Sequence, residues 1–292
     1  MKYLNKKNGQ EIGIYMGNTE FGYIGKLPSQ SSSEVSGVFS TTESKYSLDR
    51  GEYPLQFISE DLITHIDATD STQFNESSSG TLYDFSTNSN NGGLNGISVS
   101  NYSPSSGGNT AKALIYPSGN TTTYATLPDS TIYDTRGAWS WDFVAAKITN
   151  TGRATVFSQI NNTSPWNGLG LVSISHDGNG QLAWWLANSN STWWDTGISV
   201  ALNKWVYCAG TWSGNSLKVY YRTVGSSSFS TATYTSAATH NGSTSNQPFK
   251  VGSEATVDPI DGAVSMIRVW GQALTDDEVT TNFNSIKNVY GL

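Results

Sequence analysis

The stretch Ala138-Trp139-Ser140-Trp141-Asp142-Phe143-Val144-Ala145-Ala146-Lys147-Ile148 carries the period that decides the fold. Successive side chains of an extended chain point to opposite sides, so Trp139, Trp141, Phe143 and Ala145 fall on one face, with Ser140 and Asp142 on the other. Similar apolar stretches surround it at Ala154–Ile160, Leu169–Ser175, Gln181–Leu186, Lys204–Trp212, Leu217–Arg222 and Ala263–Trp270. Turn residues such as Asp177-Gly178-Asn179-Gly180 and Ser213-Gly214-Asn215 separate them, and hairpins this closely spaced imply antiparallel pairing. The pattern predicts an all-β, antiparallel sandwich over residues 62–292.

Composition agrees. Only 13% of the residues are charged and 12% are aromatic, including 10 Trp and 15 Tyr, a balance suited to pleated surfaces and polar turns. The net charge is -7 and no Lys/Arg block is present, which excludes the electrostatic footprint of a nucleic-acid binder. No apolar run approaches the roughly 18 residues of a membrane helix. The basic start Met1-Lys2-Tyr3-Leu4-Asn5-Lys6-Lys7-Asn8 lacks the apolar stretch of a secretion signal, so synthesis in a host cytoplasm without a signal peptide is expected. The single cysteine, Cys208, sits among Trp205, Val206, Tyr207 and Ala209 and reads as a small buried hydrophobe.

Residues 1–61 read differently. Ile12, Ile14 and Met16 alternate with polar or small residues, Gly17-Asn18 offers a turn, and Phe21 and Tyr23 alternate again, which predicts a two-stranded hairpin. Polar stretches at 29–34 and 41–44 follow. A lone hairpin is marginal in water, so the segment is expected to serve as an attachment arm that leans on another surface. Near the other end, Thr275-Asp276-Asp277-Glu278 has the form of a capping box, and Val279, Phe283 and Ile286 then share one face. These features predict one short helix from about Asp276 to Ser285.

With those residues in view, the chain resembles the laminin-G-like, concanavalin A-like family of jelly rolls. The resemblance rests on Leu82-Tyr83-Asp84-Phe85-Ser86 with its Asn/Gly-rich turn to Gly92, on Asn203–Gly214 with Trp205 and the following Leu217–Tyr220, on Phe249-Lys250-Val251-Gly252-Ser253 leading to Asp261–Val264, and on Ile267–Val279. It spans roughly residues 62–290. The family includes adhesion modules, lectins, appendages of glycosidases and viral structural proteins, so the fold alone does not fix a function.

Catalytic chemistry finds little support in the residues. Relatives of this fold that cleave glucans carry Glu-x-Asp-x-Glu along a strand, and glycoside hydrolysis needs two carboxyl groups about 5–10 Å apart. No Glu occurs between Glu76 and Glu254. His65, His176 and His240 lie far apart without a nucleophile elbow or a metal-binding helix. A non-enzymatic protein is expected. The resemblance implies calcium as a cofactor to consider, with Asp84, Asn88 and Asn90 in one loop and Asp258 and Asp261 in another as the candidate ligands. The strongest binding signal is aromatic. In Trp184-Trp185 and Trp193-Trp194 adjacent residues must face opposite sides of a strand, and Trp185 and Trp193 are expected outward, where they would suit a sugar ring. The whole chain is thus expected to be a virion surface protein of a tailed bacteriophage, a capsid decoration or a tail or fibre component. Residues 1–61 would attach it to a scaffold protein, and residues 62–292 would be displayed for adhesion or glycan binding in an oligomeric assembly. The alternative is a bacterial carbohydrate-binding module; an enzyme of the same fold is the reading that the Glu distribution opposes.

Overall fold

The structure is a computed structural model that describes residues 2–7, 10–16, 21–24, 57–70, 80–117, 123–133, 137–149, 152–160, 168–175, 180–186, 192–235, 247–254 and 259–292. The chain divides into two compact units between Phe57 and Ile58. In the first, β1 (Lys2–Lys7), β2 (Gln10–Met16) and β3 (Phe21–Ile24) form an antiparallel sheet in that order. Ile12, Ile14 and Met16 take alternate positions of β2, with Ile14 opposite Tyr23 and Met16 opposite Phe21. The expected hairpin is therefore joined by a third strand, in which Lys2–Lys7 pairs with Gln10–Tyr15. Its polar composition conceals it, since an edge strand is held by backbone bonds and tolerates lysine.

The second unit contains β4 (Leu62–Asp67), β5 (Thr81–Leu82), β6 (Gly92–Asn95), β7 (Ser98–Tyr102), β8 (Ala111–Tyr116), β9 (Tyr124–Leu127), β10 (Trp139–Lys147) and β11 (Thr155–Ile160). It continues with β12 (Gly168–Ser173), β13 (Gln181–Leu186), β14 (Thr192–Ser199), β15 (Val206–Trp212), β16 (Ser216–Thr223), β17 (Ser230–Thr235), β18 (Phe249–Val251), β19 (Gly262–Trp270) and α1 (Asp276–Tyr290). Two antiparallel sheets result. One has the order β17-β16-β15-β10-β19-β8-β7 with β4 also on β19, and the other the order β14-β13-β12-β11-β18-β9-β6-β5. This is the expected jelly-roll sandwich.

Alternation fills the space between the sheets. Trp139, Trp141 and Phe143 of β10 meet Trp184 and Phe157 from the opposite sheet, with Trp139 and Trp184 edge to face at 4.8 Å and Trp141 and Trp184 at 5.4 Å. Aromatic pairs in this geometry add to the stabilisation from area burial. Gly210 lies opposite Trp141 across the β10–β15 pair, where a Cβ would collide with the indole ring. At the β14–β17 edge the sheets are latched: Tyr234 stacks on Trp194 and its hydroxyl donates to the Asp195 carbonyl.

The outer face of the first sheet is closed by α1. Thr275 forms the capping box with Glu278, as the sequence predicts, but the helix runs on to Tyr290, where left-handed Gly291 ends it. Beneath it, Arg268 of β19 grips Asp142 of β10 with Nε–Oδ1 at 2.9 Å and Nη2–Oδ2 at 2.6 Å. The Tyr207 hydroxyl donates to the same carboxylate, and Arg268 also donates to the Asn282 carbonyl of the helix. Although burial opposes its charge, the adjacent Asp142 lifts Arg268 above the ordinary arginine value. Residues 58–61 belong to this layer. The Ile58 amide donates to Asn282 Oδ1, the Trp270 indole donates to the Ile58 carbonyl, and Gly271 donates to the Asp61 carbonyl.

Candidate functional site

The register of the second sheet determines which side chains share its outer face. Phe157, Val172, Trp184 and Trp194 are successive cross-strand partners, and all four belong to the core between the sheets. The adjacent row Lys250–Ser158–Leu171–Trp185–Trp193 crosses β18, β11, β12, β13 and β14, so by alternation it stands on the opposite, outer side. A parallel row is formed by Thr155, Ser173, Ala183 and Asp195. An irregularity between Thr155 and Phe157 lets Val156 join the core while Thr155 keeps the outer side.

Trp185 and Trp193 therefore occupy the expected face, with their neighbours Trp184 and Trp194 inside. Trp185 is nevertheless only 5% exposed, packed with Ile160 in a separate outer cluster against which Trp193 lies half-buried. Their ring centroids are 6.5 Å apart. Arg153, just before β11, places its guanidinium carbon 4.6 Å from the Trp193 ring centre, and its Nη1 donates to Glu254 Oε2 at 2.6 Å. Gly252, with φ +79, turns the chain after β18 at a point where a Cβ would collide with the Tyr116 ring. This turn brings Ser253 and Glu254 to the site, and the Ser253 carbonyl accepts the Ser158 hydroxyl at 2.9 Å.

Further polar groups lie elsewhere in the same sheet and its flanking turns. Lys250 lies with Nζ 5.7 Å from the centre of the Tyr124 ring, and burial lowers its pKa below the ordinary lysine value. The hydroxyls of Thr155, Ser175 and Ser253 are buried and make no hydrogen bond. Burying a hydroxyl without a partner is costly, and these three are closed off from solvent. Arg153, Glu254, Lys250 and the three hydroxyls were not among the site residues expected from the sequence. Alternation from Phe157 would have placed Ser158 outside, but Arg153 and Glu254 lie on loops where no period applies.

The described calcium candidates, Asp84, Asn88, Asn90 and Asp261, lie in two separate places. Asp84 Oδ1 accepts from the amides of His65 and Ser86, and Oδ2 from the Ser86 hydroxyl and the Asn90 amide. Four donors make it the organiser of a turn. Asn88 Nδ2 donates to the Ile63 carbonyl and Asn90 Nδ2 to the Pro128 carbonyl. Asp261 accepts from the Thr149 hydroxyl and precedes Gly262 at one end of β19, whereas His65 beside Asp84 stands opposite Arg268 near the other end, about 20 Å away along a strand. Among the described residues no group of three or more His, Cys, Asp or Glu side chains could hold a metal. Asp258, His176 and His240 lie outside the described residues. His65 packs edge to face on Phe85 at 5.9 Å, and desolvation pushes its pKa down to about 4.

A family model described as the concanavalin A-like lectin/glucanases superfamily, of laminin-G type 3, matches residues 118–280, more than half of the chain. The chain belongs to this superfamily. The match runs from just before β9 into α1, so the outer face of the second sheet, with Trp185 and Trp193, is part of the laminin-G-like domain itself. Solved structures of similar fold include the binding domain of botulinum neurotoxin DC in complex with SialylT, at 14% identity and a TM-score of 0.53 over 78% of this chain and 52% of that one. Trypanosoma rangeli sialidase in complex with sialic acid matches at 10% identity and a TM-score of 0.52, over 99% of this chain and 44% of that one. Domain 4 of AbnA, an arabinanase from Geobacillus stearothermophilus, in complex with arabinotriose, matches at 19% identity and a TM-score of 0.47, over 77% of this chain and 98% of that one. The chain thus spans about half the length, or less, of the neurotoxin domain and the sialidase. No curated protein sequence matches it.

Proposed function

We propose that this laminin-G-like protein is a non-enzymatic glycan binder on a bacteriophage virion surface, with the ligand on the outer face of the second sheet. The observation that carries the reading is the half-buried Trp193 ring held beside Trp185 under the exposed edge of the Arg153–Glu254 pair. A sugar ring offers an apolar C–H face and a rim of hydroxyls. An aromatic ring suits the first, and charged fork-shaped groups suit the second.

The non-enzymatic reading is supported by where three described carboxyl groups are committed. Asp142 is locked to Arg268 on the far sheet, Asp84 holds its turn, and Glu254 is engaged by Arg153. Glycoside hydrolysis uses a free acid and a base or nucleophile, and each of these three carboxyl groups is already engaged by donors of the protein itself. The virion context is supported by the separate N-terminal unit Met1–Phe57 and by the low-charge, polar composition. In this reading that unit docks on a scaffold protein of capsid or tail, and the assembled particle presents several copies.

A glycan array probed with the full chain tests the binding. Glycans should be retained and none should be shortened, and the Trp193→Ala variant should lose at least about tenfold in affinity. Deleting residues 1–57 should abolish incorporation into particles while leaving the array profile intact. Release of reducing ends from any bound glycan would contradict the non-enzymatic reading.

A further inference from the structure

Two arginine–carboxylate pairs among the described residues of the sandwich differ in one decisive respect. Arg268 and Asp142 have side chains 1% and 1% exposed, sealed beneath α1 and tied further to Tyr207 and Asn282. Arg153 and Glu254 have side chains 24% and 16% exposed, on the face that also presents Trp193. A sealed pair cannot exchange partners without unfolding its cover, whereas a pair in contact with water can.

From this geometry we infer that the ligand of the proposed site is a sugar bearing a carboxylate, which takes the place of Glu254 on Arg153 while its ring rests against Trp193. This inference rests on the glycan-binding reading above and assigns the ligand class. A guanidinium is a planar fork matched to a carboxylate, and it retains its charge at every relevant pH. The cation–π contact with Trp193 helps to hold Arg153 in place. Glu254 arrives from a loop more than ninety residues away in sequence and is steered there by the Gly252 turn. It acts as a stand-in for the ligand acid, keeping Arg153 paired until the ligand arrives. Lys250 stands on the same face, one strand from Ser158, and adds a second positive charge. The only other carboxyl in the two described outer rows is Asp195, at the β14 edge.

The competition makes a prediction that ordinary structural pairing does not. In Glu254→Gln the internal competitor loses its charge but keeps its shape, so acidic glycans should bind several-fold more tightly. In Arg153→Gln the preference for acid over neutral forms should disappear, with binding falling to the neutral level. The probes are trigalacturonate against its methyl ester, and 3'-sialyllactose against lactose, titrated into the full chain by calorimetry, with a sulfated disaccharide as an anion lacking carboxylate. Preference for either acid by at least about tenfold supports the inference, and the pair that shows it separates uronate from sialic acid as the source. Equal binding of acid and neutral forms, preference for the sulfated sugar, or weaker acid binding by Glu254→Gln with a lowered melting temperature would overturn it while leaving glycan binding in place. Failure of every glycan on a broad array would instead remove the parent reading.

Discussion

On the helix-backed sheet the outward residues Asp142, Arg268 and Tyr207 lie under α1 in a closed network. On the opposite sheet the outward residues Lys250, Ser158, Trp185 and Trp193 carry a mixed layer of rings, cations and hydroxyls. Both faces come from the same alternation, and both inner faces are apolar. The difference shows that a polar residue facing outward from a strand can serve either of two ends. Where α1 covers it, Asp142, Arg268 and Tyr207 pair with one another and contribute to a single docking geometry of the helix. On the other sheet a partly exposed ion pair stands beside the half-buried Trp193, as the proposed glycan site requires.

Stability measurements can break this contrast. The largest effect is expected from Arg268→Met, which leaves Asp142 buried and unpaired and should cost about 3–5 kcal/mol. The matching change Arg153→Met, at the exposed pair, should cost no more than about 1 kcal/mol. Urea midpoints with unchanged slopes would decide it, and equal losses would mean that the two pairs do the same structural work. Of similar size is Trp184→Ala, expected to cost about 3–5 kcal/mol as a large core truncation. Trp193→Ala should be nearly neutral for stability. Trp185→Ala should fall between them, because the outer cluster with Ile160 buries it.

Much of the sandwich was legible beforehand, because β10, β13, β15 and β19 pair a clean alternation with large side chains, and the capping box marks the start of α1 to the residue. β1 and β17 were not, since both are edge strands whose polar residues carry little periodic signal and whose pairing is made by backbone groups. The closure of the helix-backed face was hidden as well. Asp142 could be placed opposite the tryptophans, but nothing local announces that Arg268, 126 residues away, will meet it. Trp185 and Trp193 could be assigned to the outer face from the doublets alone. Their exposure could not, because burial on an outer face depends on what lies over it, and so Trp185 turned out covered while Trp193 is half-buried. The Asp84 loop was equally ambiguous in sequence. The same Asp, Asn and Ser residues build a turn or a cation site, and only the four donors around Asp84 decide for the turn among the described residues.

Smaller effects sharpen the picture of the covering helix and its rim. Thr275→Ala should cost about 0.5–2 kcal/mol by leaving the Glu278 amide unpaired, measured as a shift in the urea midpoint; no change would mean that the cap contributes nothing to the docking of α1. His65, at the rim of the helix-backed sheet, has its folded pKa lowered to about 4 from 6.5. Between these values the unfolded chain binds the proton and the folded one does not, so this residue's contribution to stability is present above pH 6.5 and lost as pH falls toward 4. Melting temperatures taken across that window should fall less steeply for His65→Gln than for the parent, and identical slopes would show that His65 is not held neutral.

The central claim is that the outer face of the second sheet, and not the helix-backed one, meets a glycan. Its most direct test is a calorimetric titration of the best array ligand into the full chain and into Trp193→Ala, with melting temperatures recorded for both. The account predicts melting temperatures within about two degrees of each other and at least a tenfold loss of affinity in the variant. Unchanged affinity in Trp193→Ala, with the fold intact, would contradict it.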